Sequence, residues 1–240
     1  MLQISLNMKA RLKKTMIGNI YMNFKKVWLN KIYLRRSKKY IDALRQYIDK
    51  DTTIISTNCF AGRIMQDLKM QYNSPTLGLY FMYPDYITFL SNLKYYLTEA
   101  KLVFVEKSKY ELGNKRLQSS EHKYPVALLD GKIEIHFLHY KTCDEAAQKW
   151  YRRAGRINWN KILVIGMDQN GCNQSDIINF EKLPFTNKCF FTHRKYKESN
   201  VVIPIEEFSM RDEVGNPYTE RDVFYKYFVK WLSNHQICNS

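Results

Sequence analysis

Long hydrophobic runs are missing from this chain of 240 residues. Nowhere do about 18 apolar residues follow one another, which is close to the minimum length of a membrane-spanning helix. The N-terminus has neither the short apolar core nor the small-residue cleavage site of a secretory signal. We therefore predict a cytoplasmic protein that has no transmembrane helix.

Cysteine is scarce and widely spaced, because the five cysteines are far apart and include no Cys-x-x-Cys pair. Disulfide scaffolds and structural zinc sites depend on paired or closely spaced cysteines, so both are excluded and a reducing compartment fits. The chain also has no internal repeat and no low-complexity tract, which excludes repeat architectures.

Acidic residues are scarce at the N-terminal end. Residues 1–50 contain 13 Lys or Arg but only two acids, whereas the whole chain has 38 Lys or Arg and 23 Asp or Glu. The basic charge is therefore concentrated in one segment, and no nucleic-acid partner is expected for the body. We predict a basic amphipathic helical segment at 1–50 and an α/β domain at 51–240.

Apolar residues recur with helical spacing over residues 16–34. The stripe comprises Ile17, Ile20, Tyr21, Phe24, Val27 and Trp28. Lysines lie off this stripe, so the helix suits an anionic membrane surface, and it equally suits packing on the domain with solvated lysines. A second basic helix is predicted at 36–49.

From residue 51 onwards, short apolar strands alternate with amphipathic helices. Predicted strands cover residues 53–56, 76–81, 102–105, 124–129, 133–138, 162–167, 189–192 and 201–205. Predicted helices cover residues 60–70, 84–97, 142–156 and 175–180 and the stretch after Thr219, and 107–122 is expected to be a loop.

This alternation predicts an α/β fold, a layered sheet with helices on both faces. The strands are expected to be mostly parallel, with a hairpin near 124–138 that turns at Asp130-Gly131, and with the N-terminal helical segment added. In such folds the chemistry lies at the carboxyl ends of the strands, so the residues there are the candidates.

The first strand ends in Ser56, Thr57, Asn58 and Cys59, directly before a helix. Small polar side chains at a helix N-terminus can hold a phosphate or a carboxylate, and the helix dipole would favour a Cys59 thiolate. In the alternative interpretation Asn58 is an ordinary cap and Cys59 a small buried residue. Phosphate-binding GxxxxGK[ST] and GxGxxG spacings are absent.

Two histidines occur near the end of the strand at 133–138. Alternation puts Glu134 and His136 on one face, while His139 falls at the strand end, where a general base would lie. Both histidines could instead be satisfied structural residues. A metal site is not predicted, because the spacing supplies no third ligand.

Three more candidates follow. Arg153 lies three residues before Arg156, so both can converge on a phosphate or carboxylate, or can form a solvated helix face. Asp168 ends the next strand and could bind a sugar hydroxyl or form an Asx turn. His193 ends the strand after that and is a further base or ligand.

Motifs run through residues 50–235 in a fixed order. They are ISTNCFAG at 55–62, NSPTLGL at 73–79, YPV at 124–126, IHFLHY at 135–140, EA at 145–146, Trp150, RAGRINW at 153–159, DQNGC at 168–172 and FTH at 191–193. With these motifs the chain resembles a bacterial family usually labelled exopolysaccharide (capsular polysaccharide) biosynthesis protein. The family more often has Asn at Thr57, Trp at Phe60, and Asp-Arg-Asp-Gly in place of DQNG.

The resemblance implies a place among the enzymes that assemble surface polysaccharides, without assigning a reaction. A glycosyltransferase that uses a nucleotide sugar is the favoured hypothesis, because its chemistry does not require a reactive Cys59. It would be metal-independent, since no Asp-x-Asp pair ends a strand. His139 or His136 would deprotonate the acceptor, and Arg153 would offset leaving-group charge. The substrate-binding candidates are Ser56, Asn58, Ser74, Tyr140, Trp150, Arg153, Asn158, Asp168 and His193.

Two other classes stay open. An acyl- or acetyltransferase would use Cys59 as nucleophile, activated by His136 or His139. A non-catalytic component of the assembly complex would need none of these groups. We expect no cofactor beyond the nucleotide sugar donor. The expected partners are that donor, a lipid-linked glycan acceptor and an anionic membrane surface contacted through residues 16–34 at the inner face.

Overall fold

The computed structural model of the chain describes residues 16–235, with side chains from residue 27 onwards. In chain order, helices α1 to α8 are Met16–Leu44, Phe60–Leu68, Asp85–Ser91, Leu93–Thr98, Glu111–Ser119, Cys143–Ala154, Gln174–Glu181 and Arg221–His235. Strands β1 to β8 are Thr53–Ser56, Tyr80–Phe81, Leu102–Val105, Val126–Leu129, Ile133–His136, Ile162–Met167, Lys188–Thr192 and Val202–Pro204. A 3-10 turn at Glu206–Phe208 follows β8.

The strands form two four-stranded sheets. One is parallel, in the order β1-β6-β7-β8, and the other is antiparallel, in the order β2-β5-β4-β3. The predicted α/β class, the hairpin and the N-terminal helix are confirmed. In the hairpin Leu129 pairs with Ile133, and Asp130 and Gly131 turn the chain with φ values of 48° and 69°, the positive angles that a tight hairpin needs.

The antiparallel sheet is inserted between β1 and β6 along the chain. Two backbone hydrogen bonds attach it to the carboxyl ends of the parallel strands. Phe81 N–H donates to the Thr57 carbonyl at 2.9 Å, and Tyr83 N–H donates to the Asn170 carbonyl at 3.1 Å. The second sheet therefore lies against the edge of the first sheet at which chemistry is expected.

Two large apolar clusters cover the faces of the parallel sheet. Because side chains alternate along a strand, Ile54 joins one cluster and Ile55 joins the other. In the first cluster Phe60 of α2 is fully buried, and its ring lies 5.4–6.3 Å from four other rings, those of Phe191, Phe224, Tyr225 and Phe228. The second cluster joins the parallel sheet to the antiparallel one.

The stretch 107–122 is not the loop that the sequence predicts, since it contains α5. That helix has few apolar residues, so it produces no hydrophobic period. Ser108 and Asn114 hold it in place through two hydrogen bonds of 2.8 and 2.9 Å. Gly113 packs so closely against Ser108 that an added Cβ would lie 2.2 Å from the Ser108 oxygen.

Two other elements differ from the prediction in their length. The predicted strand at 76–81 is shortened to β2, because the residues before it cover the edge of β1. There the Thr76 hydroxyl accepts the Ser56 N–H at 3.1 Å. The predicted helices at 16–34 and 36–49 are joined into the single helix α1, which ends at Leu44.

The later part of α1 belongs to the body of the protein. Ile41 and Leu44 are buried in the first cluster, whereas Val27 and Trp28 are 56% and 63% exposed. The first four residues of the predicted apolar stripe lie outside the described side chains, and the division of the chain at residue 50 stays a prediction. Among residues 16–235, no helix has the length and apolar character that crossing a membrane requires.

We expect Phe60→Ala to lower the free energy of unfolding by about 3–5 kcal/mol, since it empties the centre of the aromatic cluster. Urea denaturation followed by circular dichroism measures this change. Met210→Ala is the control, because Met210 is 96% exposed and its removal should change stability by less than about 0.5 kcal/mol. Equal midpoints for the two variants would contradict the packing described.

Candidate functional site

A cleft of about 1200 Å³ opens at the carboxyl ends of β1 and β6. Asn58 and Cys59 line it from the end of β1, and Gln169 and Asn170 line it from the end of β6. Its walls come from α1, from α5 and from the loop 209–220. Tyr80 of β2 and Tyr124, two residues before β4, complete the walls from the antiparallel sheet. This is the edge at which α/β sheets bind ligands.

A chain of side-chain amides organises the floor of the cleft. Gln169 Nε2 donates to the carbonyls of Val214 and Gly215 at 2.9 and 3.0 Å, and these carbonyls can only accept. Gln169 Oε1 therefore faces Asn58 Nδ2 at 2.8 Å, which leaves Asn58 Oδ1 to accept the Phe60 N–H at 3.0 Å. These hydrogen bonds connect the ends of β1 and β6 to the loop 209–220.

Two backbone N–H groups at the start of α2 are hydrogen-bonded within the protein itself. Ser56 is fully buried, and its hydroxyl accepts the Ala61 N–H at 3.1 Å and donates to the Asn58 carbonyl. The N–H groups of Phe60 and Ala61 are thus already bonded to side chains of the preceding turn. Ser56 stabilises the turn from within the protein interior, whereas Asn58 lines the cleft.

Cys59 lies half-buried in the cleft wall, with its sulfur 3.7 Å from the Leu79 carbonyl oxygen. Burial raises the pKa of the thiol to about 12, although a backbone hydrogen bond opposes the shift. The thiol form is therefore strongly favoured at neutral pH, which is the reverse of what a cysteine nucleophile needs.

His139 is exposed in the cleft wall. Its backbone N–H donates to the Gly78 carbonyl at 3.0 Å, and Gly78 has a φ of 74° in the turn that receives it. Desolvation by the surrounding protein lowers the pKa of the imidazole. The neutral ring is favoured near pH 7, so His139 can take a proton from a bound ligand.

His136 is fully buried and does not line the cleft. Its Nε2 lies 2.6 Å from Glu134 Oε1, as the shared face predicts, and the Tyr80 ring stacks on it at a centroid distance of 4.4 Å. Burial would raise the pKa of Glu134, but hydrogen bonds from His136 and Ser108 outweigh burial and lower it. His136 therefore contacts the cleft indirectly, through the rings of Tyr80 and Tyr124, which line it.

Ser74, Tyr140, Trp150 and Arg153 are buried away from the cleft. The Ser74 hydroxyl pairs with that of Thr76 at 3.0 Å, beside β1. Arg153 and Tyr140 both donate to the Leu77 carbonyl, and Arg153 Nη1 also donates to the Tyr140 hydroxyl. Trp150 packs in the second apolar cluster. Ser74, Tyr140 and Arg153 thus bond to residues of the turn before β2.

Asn158, Asp168 and His193 are also outside the cleft lining. Asn158 N–H donates to the Thr53 hydroxyl at the amino end of β1, the opposite end of the sheet. Asp168 accepts from the Thr192 hydroxyl at 2.6 Å, and His193 Nδ1 lies 2.9 Å from it without the alignment of a hydrogen bond. Of the twelve predicted site residues, Asn58, Cys59 and His139 are brought together.

Sequence reasoning missed several cleft residues. Arg63 lies one turn into α2, and the position of that helix directly after β1 is a signal that could have identified it. Arg116 gave no such signal, because it lies in α5, the unpredicted helix. Its Nη1 donates to Asn170 Oδ1 at 2.7 Å, and its guanidinium lies 5.2 Å from the centre of the Tyr80 ring.

Tyrosines and a loop complete the cleft. The hydroxyls of Tyr80 and Tyr124 are 2.9 Å apart, and Tyr218 contributes a 48% exposed ring from the loop 209–220. Arg211 and Glu220 pair at 2.8 Å and close this loop on itself. Within the described part of the chain, no three side chains of His, Cys, Asp or Glu come together as potential metal ligands.

We expect Cys59 to react with iodoacetamide at pH 8 at least about tenfold more slowly than the exposed Cys143, because only the thiolate attacks and burial raises the pKa of Cys59 to about 12. Mass spectrometry of the alkylated peptides over time measures both rates. Labelling in urea is the control, since both thiols are then exposed and should react similarly. Equal rates in the native protein would contradict the environment described for Cys59.

Residues 30–234 match the family described as Domain of unknown function (DUF1919). An uncharacterized protein of Haemophilus influenzae is 33% identical over 197 residues, which are 80% of this chain and 88% of that protein. Neither description mentions a polysaccharide or a reaction. The matched region runs from α1 into α8 and includes both sheets and the cleft, so the chain belongs to the DUF1919 family.

Proposed function

We propose that this protein is a metal-independent glycosyltransferase of surface polysaccharide assembly that takes its sugar from a nucleotide sugar in the cytoplasm. One observation carries the proposal. An exposed imidazole of lowered pKa, that of His139, shares a cleft with the guanidinium of Arg116. A base for the acceptor and a cation for the leaving group are the two groups that the reaction needs.

In the proposed reaction the acceptor hydroxyl oxygen attacks the anomeric carbon of the donor sugar. His139 takes the hydroxyl proton, and the bond between the anomeric carbon and the phosphate oxygen breaks with its electron pair staying on the phosphate. Arg116 stabilises the charge that develops on this leaving group. Arg153, the sequence-based candidate for that role, is engaged with the Leu77 carbonyl, which favours Arg116.

The size and lining of the cleft support a ligand of this class. Its volume of about 1200 Å³ is large enough for a nucleotide sugar together with part of an acceptor. The rings of Tyr80, Tyr124 and Tyr218 supply aromatic faces on which a base or a sugar ring can stack. The acyltransferase alternative is disfavoured by the raised pKa of Cys59.

A peripheral contact with the inner face of the cell membrane is the second part of the proposal. On α1, Leu29, Asn30 and Tyr33 line the cleft, while Val27 and Trp28 are exposed beside it. Exposed basic residues continue along the same helix at positions 31, 35, 36, 38 and 39. An aromatic and basic helix next to the cleft suits an anionic lipid surface that presents a lipid-linked acceptor.

For the catalytic proposal we expect His139→Ala to lower turnover of a nucleotide sugar by at least about 100-fold, since it removes the general base. Cys59→Ser should keep turnover within a few-fold of the unmodified protein. A thermal-shift screen of nucleotides, nucleotide sugars and acyl-CoA identifies the ligand first, because a bound ligand raises the melting temperature. Release of the nucleotide then measures turnover.

His235→Ala is the matched histidine control, because His235 lies at the far end of α8, about 20 Å along the helix from its first residue. Stabilisation by acyl-CoA alone, with a trapped acyl group on Cys59, would contradict the glycosyltransferase and support the acyl route. Unchanged polysaccharide production in cells that carry His139→Ala would support a non-catalytic role.

For the membrane contact we expect Trp28→Ser to reduce cosedimentation with vesicles of phosphatidylserine and phosphatidylcholine, because it removes the exposed aromatic anchor. Trp159→Ser is the matched control, since Trp159 is 40% exposed after α6 and should have no effect. Vesicles of phosphatidylcholine alone should bind weakly. Equal sedimentation of both variants with the anionic vesicles would contradict the role of α1.

A further inference from the structure

We propose that Arg63 is the anchor of a second anion site in the cleft and that it binds a phosphoryl group of the ligand. The proposed function supplies the identity of that ligand, whereas the anion site itself is inferred from the charges and hydrogen bonds around Arg63. No part of the proposed reaction above uses this residue.

The charges beneath the cleft do not balance. Arg63 and Arg221 are buried and share one carboxylate, that of Asp67, with Arg221 Nη1 3.5 Å from Asp67 Oδ2. The Tyr225 hydroxyl donates to the same carboxylate at 3.0 Å. Two guanidiniums with one carboxylate leave a net positive charge in a buried place, where an unpaired charge is costly.

The geometry shows which of the two arginines is free to bind. Arg63 uses Nε and Nη2 for Asp67, so this side of its guanidinium is occupied. Its Nη1 is buried and has no hydrogen-bond partner among the described residues, and Arg63 lines the cleft. Arg221 donates to Asn30 through Nη2, and its Nε and Nη1 also have no hydrogen-bond partner among the described residues, but it is fully buried and does not line the cleft. The excess charge is therefore available to a ligand at Arg63.

A second donor in the cleft wall is also unused. Asn170 is 6% exposed, and its Oδ1 accepts from Arg116, which can only donate. The Asn170 amide group therefore has its Nδ2 on the other side, where it has no partner among the described residues. Arg63 and Asn170 follow the neighbouring strands β1 and β6, so both lie at the same edge of the sheet and both line the cleft.

Tyr218 covers the proposed site. Its ring centre lies 5.1 Å from the Arg63 guanidinium carbon, and the ring is 48% exposed on the loop 209–220. A phosphoryl group reaches Nη1 when this ring moves aside. The loop carboxylates do not supply the missing anion. Glu220 pairs with Arg211, while Asp212 and Glu213 are exposed to solvent.

A phosphoryl group fits these features better than a neutral ligand does. It offers several acceptor oxygens and negative charge, and guanidinium groups bind phosphate oxygens through charge-assisted hydrogen bonds. The group can belong to the nucleotide donor or to a lipid-linked acceptor. Both sources present the same chemistry to Arg63, so the experiment must separate them.

Calorimetric titration of the full chain with inorganic pyrophosphate tests the site. We expect binding that Arg63→Gln weakens at least about tenfold, because a charge-assisted hydrogen bond is lost. Arg152→Gln, which changes an exposed arginine of α6, should bind as the unmodified protein does. Tyr218→Ala should bind more tightly, since the cover is removed. Equal binding by Arg63→Gln and Arg152→Gln, or no binding by the unmodified protein, would overturn the proposal.

The stability of the ligand-free variants separates binding from a structural role. Removing the Arg63 charge leaves a balanced Asp67–Arg221 pair, so Arg63→Gln should melt at or above the temperature of the unmodified protein. A large loss of stability would mean that Arg63 serves the fold instead. If Arg63→Gln does not fold, the Tyr218→Ala variant decides. Unchanged pyrophosphate affinity in Tyr218→Ala overturns the proposal, and increased affinity supports it.

Two further comparisons distinguish the ligand source and the proposed function. Tighter binding of a nucleoside diphosphate than of a short prenyl diphosphate assigns the site to the donor, and the reverse assigns it to the acceptor. His139→Ala should bind pyrophosphate normally. Arg63-dependent binding without turnover of any nucleotide sugar would keep the anion site and remove the glycosyltransferase. Turnover of a nucleotide sugar, together with pyrophosphate binding that Arg63→Gln does not weaken, would keep the glycosyltransferase and remove the anion site.

Discussion

The carboxylate of Asp67 is the constraint on which the cleft depends. It holds Arg63 within α2 and Arg221 at the start of α8, and Arg221 in turn donates to Asn30 of α1. Three helices are therefore joined around a single negative charge. Because two positive charges share it, the arrangement that packs these helices also leaves one guanidinium charge at the edge of the cleft without a carboxylate of its own.

The antiparallel sheet determines the shape of the cleft. Its attachment through Phe81 and Tyr83 at the carboxyl ends of β1 and β6 brings Tyr80 opposite the turn that contains Asn58. The same insertion supplies α5 and its Arg116. Without the second sheet, the end of the parallel strands would be an open edge, so the cleft is a product of how the two sheets meet.

The two histidines of one short segment have different environments, although they are only three residues apart. His136 lies inside the second sheet, paired with Glu134 and covered by Tyr80, while His139 follows the strand and is exposed in the cleft. Strand alternation predicts the shared face of Glu134 and His136 correctly. It does not indicate that this face is covered, because the covering ring comes from β2.

The sequence by itself determined the α/β class, the hairpin at Asp130-Gly131 and the position of the Asn58 turn between a strand and a helix, because strand periodicity and turn chemistry are local. The tertiary structure alone decided which polar residues share a site. Arg63, Arg116 and Gln169 meet at the cleft only because distant segments pack together, whereas Arg153 and Asp168 are turned to internal partners. Hydrogen bonding and burial between such segments depend on the whole fold, which no local pattern records.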